Sequence, residues 1–273
     1  MWQSLAIGIT LAIVVLHAST FFLPPVMGKY ASFAARGITS WLALGVCACY
    51  GILASIVLRL VGFGGLSQWT TARAMKWTMW LVTGVTFEVV RGEEYLSEKY
   101  DLDDEEDRKV GRKSRVILGN HQTSLDVLML GCIFPKYCSV TAKKSLKLVP
   151  FLGWFMALSK TVFIDRANST SARATFNSAA TTMRSTRQSV YIFPEGTRSY
   201  ASTPTLLPFK KGAFHLAVQA QVPIVPVVVA NYAHILDSKR KIFKGGVIPV
   251  VVLEPVKTKG LTAEDVDSLV VKV

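Results

Sequence analysis

The sequence predicts an α/β fold with a mixed or largely parallel sheet flanked by helices, preceded by an N-terminal membrane helical hairpin. Short β-branched runs alternate with helical stretches from Ser114 onward, which is the pattern of βαβ units. Two long uncharged stretches come before them, and 51% of the 273 residues are hydrophobic, a high fraction for a soluble protein. We therefore expect one sizeable domain held at a membrane.

Residues 1–62 are predicted to form the membrane-embedded hairpin. Trp2 to Leu23 is almost uncharged and, at ~1.5 Å per residue, long enough to cross a bilayer core before Pro24-Pro25 ends it. Ile38 to Leu58 is a second uncharged run, joined to the first by a short loop that carries Lys29 and Arg36. Either both helices span the bilayer or the hairpin is re-entrant, and the sparse charges do not orient it.

Residues 63–84 are predicted to form an interfacial amphipathic segment, because tryptophans such as Trp77 and Trp80 alternate with basic residues. An ordinary amphipathic helix packed on the domain explains the pattern equally well. Residues 85–273 then form the α/β domain. Within it, the charge-dense stretch 93–112 lacks apolar periodicity and is predicted to be an acidic surface loop.

The alternation of apolar runs predicts the elements of this domain. In chain order they are strand 85–90, strand 115–118, helix 125–132, strand 138–142, strand 161–164, helix 172–187, strand 189–193, helix 212–219, strand 224–230, strand 247–253 and a final helix capped at 262–265.

Charge is distributed unevenly along the chain, whose formal net charge is +13. Half of the acidic residues lie between Glu93 and Asp107, so the chain from Arg108 onward is strongly basic. A basic surface suits anionic lipid headgroups, phosphorylated substrates or nucleic acid. The sequence has no zinc-finger spacing, aromatic RNA-binding signature or basic helix with heptads, so we expect no nucleic-acid partner. The four cysteines lack the spacing of a disulfide framework or a metal site.

The segment Asn120 to Asp126 lies at a change of hydrophobic period, between a short buried strand and the start of a buried helix. His121 therefore falls in a turn, and Asp126 falls in the first helical turn if Thr123 or Ser124 is the N-cap. There the carboxylate can turn back to hold the imidazole, which could remove a proton from a hydroxyl near neutral pH. Taken alone, the two residues are more simply explained as a solvated histidine and a capping charge.

Three further blocks follow or begin predicted strands, where α/β domains place their sites. Val162 to Arg166 brings a charged pair to the end of a strand, although a surface ion pair explains this block by itself. Phe193 to Ser199 runs from an apolar strand into a Pro-Glu-Gly turn, and Arg198 in this block can form two parallel hydrogen bonds to phosphate oxygens. Val222 to Pro226 begins an apolar strand, and simple core packing is also a sufficient explanation for it.

Taken in order, the four blocks resemble the glycerolipid acyltransferase family: a His followed after four residues by Asp, then Phe-Ile-Asp-Arg, Phe-Pro-Glu-Gly-Thr-Arg and Val-Pro-Ile-Val-Pro. The resemblance covers residues 85–259, and only the acidic stretch departs from the compact pattern within it. It implies the glycerolipid acyltransferase fold. It also implies transfer of an acyl group from acyl-CoA to the sn-2 hydroxyl of 1-acyl-sn-glycerol 3-phosphate, giving phosphatidic acid in phospholipid and triacylglycerol synthesis.

For the site, the resemblance implies that His121 is the general base and that Asp126 orients it. No Gly-X-Ser-X-Gly elbow is present, so no nucleophilic serine is expected. Neither a metal nor a cofactor is expected, because the thioester of acyl-CoA, the co-substrate, already activates the acyl group. The implied substrate-binding residues are Lys143, Lys144, Arg166, Glu195, Gly196, Thr197 and Arg198. The implied acyl-pocket residues are Val222, Pro223, Ile224 and Pro226.

The expected partners are lysophosphatidic acid, acyl-CoA and the lipid bilayer. Because acyl-CoA is made in the cytosol, we expect the enzyme at the endoplasmic reticulum membrane with its catalytic domain facing the cytosol. Two alternatives stay open from the sequence. The chain could be another lysophospholipid or glycerol-3-phosphate acyltransferase of the same family, or a non-catalytic membrane protein that binds anionic lipid through its basic face.

Overall fold

The structure, a computed structural model, describes residues 8, 11–12, 14–15, 17–20, 22–102, 104–165 and 167–273. The described positions from 8 to 22 are helical, the chain bends at Leu23-Pro24, and helix α1 runs over Pro25–Leu60. His17 Nε2 lies 3.2 Å from Thr39 Oγ1, so the first helical segment folds back on α1. The other residues of the predicted first helix lie outside the described residues.

The prediction of a loop carrying Lys29 and Arg36 is wrong, because both residues lie inside α1. Pro25 occupies the start of the helix, where its missing N–H is not needed, and no later proline interrupts the helix. The Arg36 guanidinium donates to the carbonyl oxygen of Thr83, so its charge finds a partner without leaving the helix. Among the helices that the structure describes, α1 alone is long and apolar enough to cross a membrane.

The rest of the chain alternates strands and helices as predicted, with small shifts at their ends. The elements are α2 (Ser67–Thr83), β1 (Val85–Arg91), α3 (Glu105–Val110), β2 (Val116–Gly119), α4 (Asp126–Ile133), β3 (Cys138–Lys143), α5 (Leu152–Leu158), β4 (Val162–Ile164), α6 (Ser169–Thr186), β5 (Ser189–Ile192), α7 (Gly212–Ala220), β6 (Ile224–Val229), β7 (Leu236–Asp237), β8 (Ile242–Phe243), β9 (Gly246–Val252) and α8 (Val266–Lys272). Helices α3 and α5 and the β7–β8 hairpin are not among the predicted elements.

Seven strands form one sheet in the order β1-β9-β6-β2-β5-β3-β4. Every neighbouring pair is parallel except β6 and β9, which are antiparallel. The predicted mixed, largely parallel sheet is therefore confirmed. Central strand β2 is buried at all four positions, as expected for a strand covered on both faces. Gly119 ends it where a Cβ atom would overlap the hydroxyl of Tyr191, so the close approach requires glycine.

Two hydrophobic clusters cover the two faces of the sheet. One joins the sheet to α1, α2 and α4 and includes Met79, Leu128 and Met129. The other joins it to α6, α7 and α8 and includes Met183 and Phe214. The long helix and the helix after it therefore lie on the same side of the sheet as α4, which begins at Asp126.

Helix α2, which includes most of residues 63–84, has one buried face and one exposed face. Met75 and Met79 are buried against the domain, whereas Trp77 and Trp80 are exposed on the other side. The two tryptophan rings contact each other edge to face, with centroids 6.3 Å apart. One face of α2 thus packs as core, and the other leaves aromatic side chains free at a surface.

The stretch 93–112 is not the simple loop that we predict from its composition. It contains a 3-10 turn at Glu93–Leu96 and helix α3, whose N-cap Asp104 accepts the backbone N–H of Glu106 at 3.0 Å. Asp107 is buried and pairs with the guanidinium of Arg187 at 2.8 Å. Glu106 also pairs with Arg187, at 2.7 Å, and this long-range neutralisation of two acidic residues is not evident from composition.

Candidate active site

Segments that follow four parallel strands meet at one edge of the sheet. Because β2, β3, β5 and β6 point the same way, the residues after their carboxyl ends lie side by side. The backbone N–H of Ser199, after β5, donates to the carbonyl oxygen of His121, after β2, at 2.9 Å. The N–H of Tyr200 donates to the carbonyl oxygen of Gln122 at 3.1 Å. Two of the predicted blocks are thereby joined through their backbones.

His121 and Asp126 meet across the turn, as the sequence predicts. Nδ1 of His121 lies 2.6 Å from Oδ2 of Asp126, which is the first residue of α4 and fully buried. Leu125 is the N-cap rather than Thr123 or Ser124, although the Thr123 hydroxyl oxygen still accepts the N–H of Leu125 at 3.1 Å. Because Nδ1 is held by the carboxylate, Nε2 is the ring nitrogen left to accept a proton.

The carboxylate of Asp126 is fully supplied with hydrogen-bond donors. Oδ2 also accepts the backbone N–H groups of Gln122 at 2.7 Å and Thr123 at 3.1 Å. Oδ1 accepts the hydroxyl of Tyr232 at 2.6 Å. Burial and the nearby Asp126 charge raise the pKa of Tyr232 well above its usual value, so this hydroxyl stays a donor at neutral pH. The buried carboxylate is thus fixed in one orientation.

Glu195 holds the turn that contains His121 through hydrogen bonds to the backbone. It is 3% exposed, and its two oxygens accept the backbone N–H groups of His121 at 2.6 Å and Leu207 at 3.0 Å. In this structure Glu195 holds two backbone segments of the site together, and its contact with the substrate stays a prediction. Asn120 holds the other side of the turn, exchanging hydrogen bonds of 3.0 and 2.9 Å with the backbone of Val229 in β6.

The imidazole faces a largely apolar cavity of about 500 Å³. The ring stacks on Phe193, with centroids 4.1 Å apart and planes at 20°. Side chains from α1, α2, α4 and α5 supply half of the lining residues, among them Leu44, Met75, Leu130, Phe155 and Met156. A base at the wall of an apolar cavity can meet a hydroxyl that belongs to a lipid.

Three of the predicted substrate-binding residues line the same cavity: Lys143, Thr197 and Arg198. Arg198 is exposed, and its Nη1 donates to the hydroxyl of Tyr200 at 3.1 Å. The ammonium of Lys144 instead pairs with Asp165 at 3.2 Å.

Gly196 has a φ of +71°, and a Cβ atom there would meet the side chain of Lys210, so its part is to shape the turn before Arg198. Arg166 lies outside the described residues.

Comparison with known proteins gives the family. A family model described as Acyltransferase matches residues 89–230. The 1-acyl-sn-glycerol-3-phosphate acyltransferase of Saccharomyces cerevisiae is 44% identical over 248 residues, which cover 91% of this chain and 77% of the yeast protein. This chain belongs to the acyltransferase family. It is accordingly an enzyme that transfers acyl groups, not a non-catalytic lipid-binding protein.

Another curated relative and one solved structure also resemble this chain. The human 1-acyl-sn-glycerol-3-phosphate acyltransferase beta is 44% identical over 155 residues, 57% of this chain and 55% of the human protein. The crystal structure of the 1-acyl-sn-glycerophosphate (LPA) acyltransferase PlsC from Thermotoga maritima matches with a TM-score of 0.58 at 22% identity, over 87% of this chain and 93% of that one. The latter likeness is one of fold.

The acyl-pocket prediction does not hold for the acyltransferase cavity. Val222, Pro223, Ile224 and Pro226 are all buried, but none of them is among the described residues that line the cavity. Val222 and Ile224 pack in the cluster with α6, α7 and α8. In the sheet, Pro226 pairs with Leu118 of β2. The block is therefore core, which is the simpler of the two explanations that its sequence allows.

Sequence reasoning missed three side chains that build the site. Tyr232 follows a strand but belongs to no block that singles it out. Phe193 stands in a recognised block, yet its stacking on the imidazole has no sequence signal. Gln68 of α2 lies beside the cavity, where its amide oxygen accepts the N–H of Val140 at 2.8 Å and its amide nitrogen donates to the carbonyl oxygen of Ser159 at 3.0 Å. These contacts bridge distant parts of the chain.

Proposed function

We propose that this acyltransferase transfers an acyl group from acyl-CoA to the sn-2 hydroxyl of 1-acyl-sn-glycerol 3-phosphate, giving phosphatidic acid for phospholipid and triacylglycerol synthesis. The observation that carries the proposal is a buried carboxylate that holds a histidine at the wall of an apolar cavity also lined by Lys143 and Arg198. The names of the yeast and human relatives give the same acceptor. The apolar wall suits acyl chains, and the two cations suit a phosphomonoester.

In the proposed reaction, His121 Nε2 takes the proton of the sn-2 hydroxyl as its oxygen attacks the thioester carbonyl carbon. The C–S bond then breaks, and the imidazolium returns the proton to the departing CoA thiolate. Asp126 stabilises the imidazolium that forms between these steps. The thioester supplies the activation, so we propose that neither a metal ion nor a cofactor takes part.

We propose that Arg198 is the main contact to the substrate phosphate. Its planar guanidinium can form two parallel hydrogen bonds to phosphate oxygens, and its exposed position lets it reach a headgroup. Lys143 lines the same cavity and adds a second positive charge. Lys144 contributes less, because its ammonium is already paired with Asp165.

The acyl chain is proposed to occupy the apolar part of the cavity. This assignment replaces the four core residues of the Val222 to Pro226 block by Leu44, Met75, Leu130 and Phe155, which line the cavity that contains the base. Because α1 and α2 form part of this wall, the lipid substrate would enter from the side of the molecule that faces the membrane.

We propose that α1 lies along the membrane surface instead of crossing it. Arg36 contacts the end of α2, and Arg59 donates to the carbonyl oxygen of Leu158 in α5 at 2.6 Å. The α/β domain and its flanking helices are therefore attached to α1 at both ends of the stretch from Arg36 to Arg59. That stretch is about 35 Å long, more than the ~30 Å hydrocarbon core of a bilayer. Crossing would therefore pull the domain into hydrocarbon, whereas the exposed Trp41, Val46 and Leu53 can enter one leaflet.

The proposed location is the endoplasmic reticulum membrane, with the domain facing the cytosol. The apolar helix and the likeness to lipid acyltransferases support a membrane location. The supply of acyl-CoA from the cytosol supports the orientation.

An acceptor panel tests the proposed function. Purified protein would be given radiolabelled acyl-CoA with lysophosphatidic acid, glycerol 3-phosphate or lysophosphatidylcholine, and His121→Ala would serve as the inactive control. We expect lysophosphatidic acid to have the highest kcat/KM. Faster acylation of glycerol 3-phosphate, or of the lysolipid whose phosphate is masked by choline, would overturn the proposed acceptor. Equal rates for His121→Ala and the native chain would overturn the mechanism.

A further inference from the structure

Tyr232 is buried beneath the site and has two separable roles. Its ring packs edge to face against Phe87, with centroids 5.8 Å apart, in the cluster between the sheet and α2. Phenylalanine would fill this space equally well. The hydroxyl is therefore the part of the side chain that needs a separate explanation, because a buried hydroxyl without partners costs free energy.

The Tyr232 hydroxyl is at the centre of a small network. It donates to Asp126 Oδ1 at 2.6 Å, accepts the backbone N–H of Thr123 at 3.1 Å and lies 3.0 Å from the Thr123 hydroxyl. The other donors to Asp126, from His121, Gln122 and Thr123, all bond to Oδ2. Among the described side chains and backbone groups, Tyr232 alone holds Oδ1.

This asymmetry matters for the imidazole. With donors on Oδ2 only, the carboxylate could rotate about its Cβ–Cγ bond and offer either oxygen to its neighbours. The Tyr232 hydroxyl fixes the plane of the carboxylate, so that Oδ2 stays in line with Nδ1 of His121. Tyr232 itself is not among the residues that line the cavity, so it has no contact through which to bind substrate.

We propose that Tyr232 is a positioning residue for acyl transfer: its hydroxyl locks the Asp126 carboxylate in the orientation that aims the His121 base at the acceptor hydroxyl. This assignment rests on the proposed function of the His121 and Asp126 pair. It predicts a loss in the chemical step without a loss in substrate binding.

Tyr232→Phe tests the proposal, because it removes only the hydroxyl. The matched control is Tyr191→Phe: Tyr191 is also fully buried, and its hydroxyl faces the sulfur of Met129 at 3.8 Å and not the catalytic carboxylate. We expect Tyr232→Phe to lower kcat by about 10- to 100-fold, the range seen when a hydrogen-bond partner that orients a metal-binding side chain is removed, with KM for both substrates within about twofold. Tyr191→Phe should keep kcat within about twofold.

A double-mutant cycle separates positioning from general destabilisation. In an Asp126→Asn background the carboxylate is gone, so adding Tyr232→Phe should change the residual kcat by less than about twofold. A similar kcat for Tyr232→Phe and the native chain would overturn the proposal. So would an equal loss in both tyrosine variants, or a loss that is as large in the Asp126→Asn background as in the native one. Melting curves establish that each variant is folded before its kcat is compared.

The native chain makes the two possible failures distinguishable. If it shows no transfer from acyl-CoA to any acceptor in the panel, the proposed function fails. If it is active and Tyr232→Phe matches it, only the role of Tyr232 fails.

Discussion

Replacing Arg73 by alanine should destabilise the protein by removing contacts that fasten α2 to α4, the helix that begins at Asp126. The Arg73 guanidinium donates to three carbonyl oxygens at the end of α4: Gly131 at 2.9 Å, Cys132 at 2.5 Å and Phe134 at 3.1 Å. It thereby satisfies the orphan acceptors of the helix terminus and places a positive charge where the helix dipole favours it.

The size of the effect follows from these contacts. A hydrogen bond from a charged donor contributes about 1.5–3 kcal/mol, and a cation at a helix C-terminus about 0.3–1 kcal/mol. The three bonds share one guanidinium and are not additive, so we expect Arg73→Ala to cost about 3 kcal/mol. For a domain of this size, that loss corresponds to a melting temperature lower by about 6–12 °C.

Thermal melting in one detergent, followed by circular dichroism, measures the loss. Lys76→Ala is the matched control, because Lys76 lies on the same helix and its ammonium contacts only the ring of Trp77, 5.2 Å away, among the contacts that the structure describes for it. We expect the control to melt within about 1–2 °C of the native protein. Equal melting temperatures for the two variants would refute the conclusion that Arg73 fastens α2 to α4.

Four further predictions concern the chemistry, the phosphate, alkaline stability and topology. Asp126→Asn should lower kcat about 10⁴-fold in a steady-state acyl-transfer assay with little change in KM, because the imidazole loses its orienting charge; a loss below tenfold would contradict this role. Arg198→Ala should raise KM for lysophosphatidic acid at least about tenfold and leave KM for acyl-CoA unchanged, whereas Lys144→Ala should change neither much; equal effects of the two variants would count against a phosphate contact by the arginine. Burial raises the pKa of Tyr191 well above its usual value, so the folded state keeps a proton that the unfolded chain releases above about pH 10. The free energy of unfolding should therefore fall above that pH, and Tyr191→Phe should flatten the decline in denaturant titrations; an equally steep decline would disprove the assignment. Asn168 begins the sequon Asn-Ser-Thr and is exposed, yet it should carry no glycan in endoplasmic reticulum membranes if the domain faces the cytosol; an endoglycosidase-sensitive shift would reverse that orientation.

The sequence by itself determined the alternation of elements and the turn that brings His121 to Asp126. The apolar runs are short and bounded by turn residues, so local pattern located the seven strands of the main sheet. The His121 and Asp126 pair was also predictable, because both residues belong to one turn and their meeting depends only on the break before α4. The loop expected at Lys29 and Arg36 failed because a helix tolerates an isolated charge that finds a partner in another helix.

Tertiary structure decided which residues surround His121. Half of the residues that line the cavity come from α1, α2, α4 and α5, and no local sequence pattern predicts which helices pack together. The Val222 to Pro226 block has the same apolar composition whether it lines a cavity or fills a core. Tyr232 reaches Asp126 across 106 positions of sequence, and its hydroxyl acquires a function only through that long-range contact. The contact of His121 with Asp126 within one turn could thus be predicted from the sequence, whereas the side chains that surround this pair could be identified only from the tertiary structure.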